Sequence, residues 1–179
     1  MTKQEARVYS KELIKTLANR QEKEDKVLRL LKPILDPFEK IFAYKADLLE
    51  INLDPIFQHF SNKKFFFPAI TSLEKKEMVF RSPDSWKKGE FGILEPIGEE
   101  TSPTHADIIL VPSLGYNSFG YRLGRGAGFY DRALQNISKD KMIGICFTDL
   151  SQIDFIQNEF DIGVGKILTE KAVIFPLKD

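Results

Sequence analysis

The feature that most constrains the fold is DIILVP, residues 107–112, in which one aspartate precedes a run of apolar residues. A strand with one face in solvent alternates apolar and polar residues. An uninterrupted apolar run is typical of a strand buried on both faces, as in a parallel or mixed sheet. Strand and helix patterns alternate along the chain. The sequence therefore predicts an α/β fold in three layers, with a mostly parallel or mixed central sheet and helices on both faces.

Other elements follow from local patterns. Thr2 and Glu5 fit a capping box ahead of a first amphipathic helix, and a second helix is predicted from about residue 22 to 35, ending before Pro37. A short helix is predicted at 54–60. Proline and glycine punctuate residues 82–96, which are predicted to form a turn-rich excursion. The remaining predicted strands are 41–44, 64–68, 78–80, 142–147 and 171–176.

Chain length, net charge, the length of apolar runs and cysteine content limit the class of protein. A chain of 179 residues predicts a single domain over 1–179. Its net charge of zero disfavours a broad nucleic-acid-binding surface. The N-terminus is too charged for a signal peptide, and no apolar run approaches the roughly 20 residues of a membrane span. A single cysteine, Cys146, fits a reducing compartment. We expect a cytoplasmic protein without nucleic-acid or membrane partners, while the oligomeric state stays open.

The candidate site is GYRLGRGAGFYDRAL, residues 120–134, with four glycines and three arginines. Glycines after a strand allow backbone N–H groups to approach phosphate oxygens, and a helix N-terminus favours anions. Arg122 and Arg125 add forked donors, and Asp131 offers an oxygen ligand for magnesium. The alternative is a glycine-rich turn with solvated arginines. The stretch matches neither the Walker pattern nor a clean dinucleotide fingerprint, so these residues alone leave both interpretations open.

A longer segment, VPSLGYNSFGYRLGRGAGFYDRAL at 111–134, resembles the 5-formyltetrahydrofolate cyclo-ligase family, also called methenyltetrahydrofolate synthetase. Further landmarks of that family occur in order along nearly the whole chain. They are Lys3 and Arg7, Tyr44 and Glu50, Pro68 with MVF at 78–80, and GILEP at 92–96.

The resemblance implies a three-layer α/β fold and a reaction that depends on ATP and magnesium. In that reaction the formyl oxygen on N5 attacks the γ-phosphate of ATP, and N10 then closes on the activated carbon. Arg122 and Tyr130 are expected to act in catalysis, and Asp131 to bind magnesium. Folate is expected to contact Tyr44, Glu50 and Tyr130, with Glu50 accepting pterin N–H groups. ATP is expected to contact Lys3, Arg7, Arg122, Leu123, Gly124, Arg125, Gly126, Ala127, Gly128, Phe129 and Tyr130.

The sequence departs from the family pattern mainly after the glycine-rich stretch 120–134. Asp161 is kept, but Phe160 replaces the usual His and Gly165 stands where a second Asp is expected; Ser113, Asn117, Leu150 and Ile156 also differ. Two interpretations follow: an ATP-dependent cyclo-ligase with a weakened magnesium site, or a non-catalytic folate- or nucleotide-binding paralogue. A third is a kinase-like or transferase activity on another substrate. In the first interpretation, Gly165→Asp is expected to lower the magnesium requirement.

Overall fold

The computed structural model of the protein describes residues 1–178. Its helices are α1 (Lys3–Lys15), α2 (Arg20–Leu35), α3 (Asp54–His59) and α4 (Phe129–Ala133). Short 3₁₀ turns occur at Glu90–Gly92, Pro103–His105, Lys139–Lys141 and Thr148–Leu150. The strands are β1 (Lys40–Phe42), β2 (Lys64–Ser72), β3 (Glu77–Arg81), β4 (Ser85–Lys88), β5 (Leu94–Ile97), β6 (Glu100–Thr101), β7 (Ile108–Pro112), β8 (Met142–Ile145), β9 (Lys166–Leu168) and β10 (Val173–Ile174).

Eight strands form one mixed sheet in the order β10-β9-β8-β7-β1-β2-β3-β6. The five central strands, from β9 to β2, run parallel, and antiparallel pairs stand at both edges. Every residue of β7 is buried, as its uninterrupted apolar run predicts. The predicted α/β class with a mostly parallel or mixed sheet is confirmed.

The first helix begins where the sequence predicts. Thr2 Oγ1 accepts a hydrogen bond from the Glu5 amide, and Glu5 Oε2 accepts one from the Thr2 amide at 2.8 Å, which completes the capping box. This cap fixes the start of α1 immediately before Lys3. The second helix buries Val27, Leu28 and Leu31 in the core and ends at Leu35.

Residues 82–96, predicted to form a turn-rich excursion, contain regular strands. They contain β4 and most of β5, which pair antiparallel as a separate two-stranded sheet. All four residues of β4 are exposed, so the strand lacks the apolar alternation by which it could be recognised. Strand β2 extends to Ser72, beyond the predicted end at residue 68, and the three-residue strand β9 was not predicted.

Among residues 1–178, no helix has both the length and the apolar character that crossing a membrane requires.

Candidate functional site

The glycine loop is the segment 113–128 between β7 and α4, and it forms part of the wall of two cavities. Its base closes on itself, because the Leu114 amide donates to the Leu123 carbonyl at 3.0 Å and the Leu123 amide donates to the Gly115 carbonyl at 2.8 Å. Gly128, with φ +77°, stands directly before α4 in the left-handed region that favours glycine. Helix α4 is only five residues long, so its dipole contributes little, and the loop itself presents most of the polar groups.

The first cavity has a volume of about 460 Å³, and we call it the basic cavity. It is formed by the glycine loop together with residues from α1, α4, the β2–β3 turn and the segment before β9. Cations outnumber carboxylates in its wall. Its lining residues are Lys3, Arg7, Lys76, Arg122, Gly124, Gly126, Ala127, Gly128, Asp131, Arg132, Gln135, Asn158, Phe160 and Asp161.

Two cations of this cavity come from α1, on the same helix face. Arg7 Nε donates to the Gly124 carbonyl at 2.8 Å, which attaches the first helix to the glycine loop. Lys3 is paired with Asp161 across almost the whole chain. Arg7 thus contacts the glycine loop directly, while Lys3 lines the same cavity beside Asp161, and the contact of both with ATP stays a prediction.

The second cavity has a volume of about 360 Å³, and we call it the apolar cavity. Aliphatic and aromatic side chains dominate its wall, with a few charged groups among them. Its lining residues are Tyr44, Lys45, Asp47, Glu50, Pro68, Ile70, Met78, Glu90, Phe91, Ile93, Glu95, Pro112, Arg122, Arg125, Ala127, Gly128, Phe129 and Tyr130.

Three residues, Arg122, Ala127 and Gly128, line both cavities, and we call them the shared wall. Arg122 is 8% exposed, and its Nε donates to the Pro112 carbonyl at 2.6 Å. Its guanidinium lies 4.9 Å from the centre of the Tyr130 ring. A Cβ on Gly124 would lie 2.4 Å from Arg122 Nη1, so glycine at 124 makes room for the guanidinium. The cation is thus fixed where groups from the two cavities can meet.

An ionic cluster stands at the other side of the apolar cavity. Arg125 Nη2 lies 2.5 Å from Asp47 Oδ2 and 3.2 Å from Glu50 Oε1. The Asp47 amide also donates to Glu50 Oε2 at 3.2 Å. Burial and the neighbouring Asp47 charge raise the pKa of Glu50, while Arg125 opposes that rise. Glu50 is thereby a buried acceptor held in place by a loop residue.

Two tyrosines complete this wall. The Tyr44 hydroxyl donates to the Ile51 carbonyl at 3.1 Å, which holds the buried ring in place. Burial, followed by the charge of Glu50, raises the pKa of Tyr130 well above that of an ordinary phenol. Its hydroxyl therefore remains protonated at neutral pH and can donate a hydrogen bond.

The oxygens available for magnesium are few. Asp131 Oδ1 accepts the Ile162 amide at 3.2 Å, and its Oδ2 lies 3.7 Å from Arg122 Nη1. Within residues 1–178, no three His, Cys, Asp or Glu side chains gather as a metal-binding group. One carboxylate fits a magnesium ion that takes most of its ligands from phosphate and water, which is how this ion is usually held beside nucleotides.

The structure divides the predicted ATP-binding residues between the two cavities. Arg125, Phe129 and Tyr130 line the apolar cavity rather than the basic one. Leu123 lines neither, because its side chain is fully buried and its amide and carbonyl are used within the loop. Leu123 thus supports the loop, and its contact with ATP stays a prediction that this placement does not favour. The predicted folate contacts Tyr44, Glu50 and Tyr130 do line one cavity together.

Several lining residues had no predicted role. Lys76 and Arg132 belong to the basic cavity; no pattern marks Lys76, and Arg132 stands in the candidate stretch 120–134 without an assigned role. Met78, named above only as part of the MVF landmark, lines the apolar cavity, as does Glu95 of the GILEP element. A carboxylate in an otherwise apolar strand was the one available signal for Glu95.

The single tryptophan, the single cysteine and both histidines lie outside both cavities. Trp86 covers the core rather than the cavity, with its ring 5.0 Å from Phe67. Cys146 is buried, and burial raises the pKa of its thiol, which makes it inert. His59 and His105 are exposed and line neither cavity.

The departures from the family pattern are accommodated in different ways. Asn117 Oδ1 accepts the Tyr121 amide at 2.9 Å, as an aspartate could, and its Nδ2 donates to Gln157. Phe160 is 68% exposed at the basic cavity. Gly165 lines neither cavity, and a Cβ there would lie 2.7 Å from the Lys139 carbonyl oxygen. This steric conflict counts against Gly165→Asp as a repair of the magnesium site, and the vacant ligand position at 165 stays a prediction.

Comparison with known proteins gives a consistent result. The profile of the 5-formyltetrahydrofolate cyclo-ligase family matches residues 6–170. Among curated relatives, an Escherichia coli K12 protein named 5-formyltetrahydrofolate cyclo-ligase is 50% identical over 134 residues, covering 69% of this chain and 74% of the relative. A Mycolicibacterium smegmatis protein of the same name is 37% identical, over 54% of this chain. That alignment spans about half of the relative's length, 52%.

Solved structures share the fold. The 5,10-methenyltetrahydrofolate synthetase of Aquifex aeolicus superposes with a TM-score of 0.84 at 29% identity, covering 98% of this chain and 93% of that one. The Mycoplasma pneumoniae protein of the same name has a TM-score of 0.80 at 22% identity, covering 95% and 99% of the two chains.

Proposed function

The chain belongs to the 5-formyltetrahydrofolate cyclo-ligase family, and we propose that it converts 5-formyltetrahydrofolate to 5,10-methenyltetrahydrofolate with release of ADP and phosphate. The observation that carries the proposal is the shared wall. A basic cavity suited to phosphates and an apolar cavity suited to a ring system meet at Arg122, Ala127 and Gly128. A reaction that joins a nucleotide phosphate to a folate oxygen requires such a meeting point.

We assign the triphosphate of ATP to the basic cavity. Lys3, Arg7, Lys76 and Arg132 supply positive charge there, and the glycine loop brings backbone close to the ligand. Phosphoryl transfer depends mainly on positioning and on stabilising charge, so a fixed cationic wall meets its chief requirement. Asp131 would hold the magnesium ion, which supplies charge neutralisation on the phosphate oxygens when bound.

We assign the pterin to the apolar cavity beside Glu50. An ionised carboxylate is an acceptor only, and it matches the paired N–H donors at the edge of a pterin ring. Tyr44 and Met78 offer flat or adaptable surfaces for the ring, and Tyr130 offers a hydroxyl donor for the formyl group. Arg122 then lies where the formyl oxygen meets the γ-phosphate, and it stabilises the negative charge that is transferred.

The deciding experiment is an absorbance assay for methenyltetrahydrofolate with 5-formyltetrahydrofolate, ATP and magnesium. We expect product that requires all three components, with turnover that demands high magnesium because one carboxylate serves the ion. No product at any magnesium concentration, together with retained ATP or folate binding, would instead identify a non-catalytic binding protein. The feature that favours this second function is Phe160, which lines the basic cavity where the family pattern has a histidine.

A further inference from the structure

Glu95 is a buried carboxylate in the wall of the apolar cavity. The residue is 6% exposed, and its Oε1 accepts a hydrogen bond from the Ile70 amide at 3.2 Å. Among the residues that the structure describes, no side chain or backbone donor reaches its second oxygen, Oε2. Oε2 is not one of the completely buried polar atoms that lack a hydrogen-bond partner, so part of its surface remains accessible. One oxygen of Glu95 is thus anchored while the other is available to a molecule in the cavity.

The fold makes specific room for this carboxylate. A Cβ on Gly89 would lie 2.3 Å from the Glu95 Cδ atom and 2.6 Å from its Oε1. The φ of Gly89 is −89°, so the backbone there does not require glycine. Because residue 89 has no side chain, the space beside it is open to the Glu95 carboxylate.

The proposed reaction needs a proton acceptor in this cavity. The N10 lone pair forms a bond to the formyl carbon, the N10–H proton must leave, and the C–O bond breaks with its electron pair on the departing phosphate. The other groups are poorly placed to take that proton. Asp47 and Glu50 are paired with Arg125, Glu90 is exposed at the rim, and the phenol of Tyr130 is already protonated.

We propose that Glu95 is the general base that accepts the N10 proton during ring closure. The proposal rests on the proposed function, because it names the acceptor for one step of that reaction. It follows from the anchored, buried carboxylate with one free oxygen in the cavity assigned to the folate. Such proton transfer typically contributes about 10²–10⁴-fold to the rate.

The first test is Glu95→Gln, which keeps an acceptor for the Ile70 amide but cannot take a proton. We expect kcat for methenyltetrahydrofolate to fall at least about 100-fold, with the KM for folate nearly unchanged. If ring closure is slowed after phosphoryl transfer, water attacks the activated carbon and returns 5-formyltetrahydrofolate with phosphate. The ratio of phosphate released to methenyltetrahydrofolate formed should therefore rise above one.

Two outcomes overturn the proposal. A higher folate KM with unchanged kcat makes Glu95 a binding residue only. A parallel loss of phosphate and product, with their ratio still at one, places its effect before ring closure. If the wild type itself makes no methenyltetrahydrofolate, the proposed function fails, and that result is separate from the behaviour of this variant.

The second test keeps the carboxylate and moves it. Gly89→Ala is compatible with the local backbone but pushes the Glu95 carboxylate from its place, so we expect a smaller fall in kcat and again a ratio above one. Wild-type kinetics in this variant would count against the proposal. It carries the test alone if Glu95→Gln does not fold. Glu99→Gln, an exposed carboxylate outside both cavities, is the control for removal of a charge.

Discussion

Arg125 and Glu50 meet across the apolar cavity, where Arg125 Nη2 donates a hydrogen bond of 3.2 Å to Glu50 Oε1 over a separation of 75 residues. One residue belongs to the glycine loop and the other to the segment after β1. The acceptor that we assign to the pterin is therefore already held by the loop that we assign to the nucleotide.

Replacing Glu50 with Gln should weaken folate binding about 10- to 150-fold, because a charged acceptor becomes a group that also donates. ATP affinity should hold, since Glu50 does not line the basic cavity. Calorimetry with each ligand separately measures both values, with Glu99→Gln as the matched control. A fall in ATP affinity alone would refute the assignment of Glu50 to the pterin.

Folate affinity should decline as the pH falls, starting above the pH at which an ordinary glutamate is protonated. The reason is that burial and Asp47 raise the pKa of Glu50 above its usual value of 4.5, and the neutral acid no longer accepts two donors. The raised pKa also means that ionised Glu50 opposes folding. The wild type should accordingly gain stability relative to Glu50→Gln as the pH falls from that raised pKa towards 4.5. Binding titrations and melting curves between about pH 5 and 8 check both effects.

Arg122→Ala should weaken ATP binding by about 1.5–3 kcal/mol, the loss expected for a hydrogen bond to a charged group. Because Arg122 also lines the apolar cavity, folate affinity should fall in the same variant. Arg122→Lys keeps the charge without the planar fork, and we expect an intermediate loss. Unchanged ATP affinity in a folded Arg122→Ala protein, measured by calorimetry, would exclude the assignment.

Asp131→Asn should raise the magnesium concentration needed for half-maximal activity, since an amide oxygen is a weaker ligand for this ion than a carboxylate. ATP affinity without magnesium should not decrease. The exposed Asp84→Asn serves as the control, because Asp84 lies outside both cavities. An unaltered magnesium dependence in Asp131→Asn would remove Asp131 from the metal site.

Gly165→Asp should destabilise the protein rather than improve its use of magnesium. A Cβ at 165 meets the Lys139 backbone, which cannot move without shifting the chain, and overpacking of this kind costs about 1–3 kcal/mol. Gly163→Ala is the matched comparison, since its methyl would be closest to the end of the Lys139 side chain, with Cε 3.1 Å away, and would meet the Gly120 carbonyl oxygen at an ordinary contact distance of 3.6 Å. Denaturant unfolding should show the larger loss at 165. A stable variant with a lower magnesium requirement would restore the original expectation.

Much of the fold was predictable because β7 and the amphipathic helices carry strong local patterns. Strand β4 was not, since all four of its residues are exposed and the sequence SWKK shows no alternation of apolar and polar residues. The glycines and arginines of the stretch 120–134 indicated a binding site from the sequence alone. The side to which each of its residues turns is a matter of tertiary geometry, so Arg125 and Phe129 could not be assigned to the apolar cavity in advance.

Glu95 is a second residue whose place in the site could not be predicted from the sequence. Within GILEP it is one carboxylate among many in the chain, and its importance arises only when Gly89 and the Ile70 amide are brought against it. Lys76 reaches the basic cavity through the turn between two strands, with no pattern around it to mark the position.

The pair between Lys3 and Asp161 links ligand binding to the stability of the fold. The two residues are 158 positions apart, so this part of the cavity wall is complete only when the segment before β9 lies against α1. A ligand held by this wall binds the folded chain and shifts the folding equilibrium towards it by mass action. Nucleotide, which we propose as that ligand, would thus raise the melting temperature of the protein.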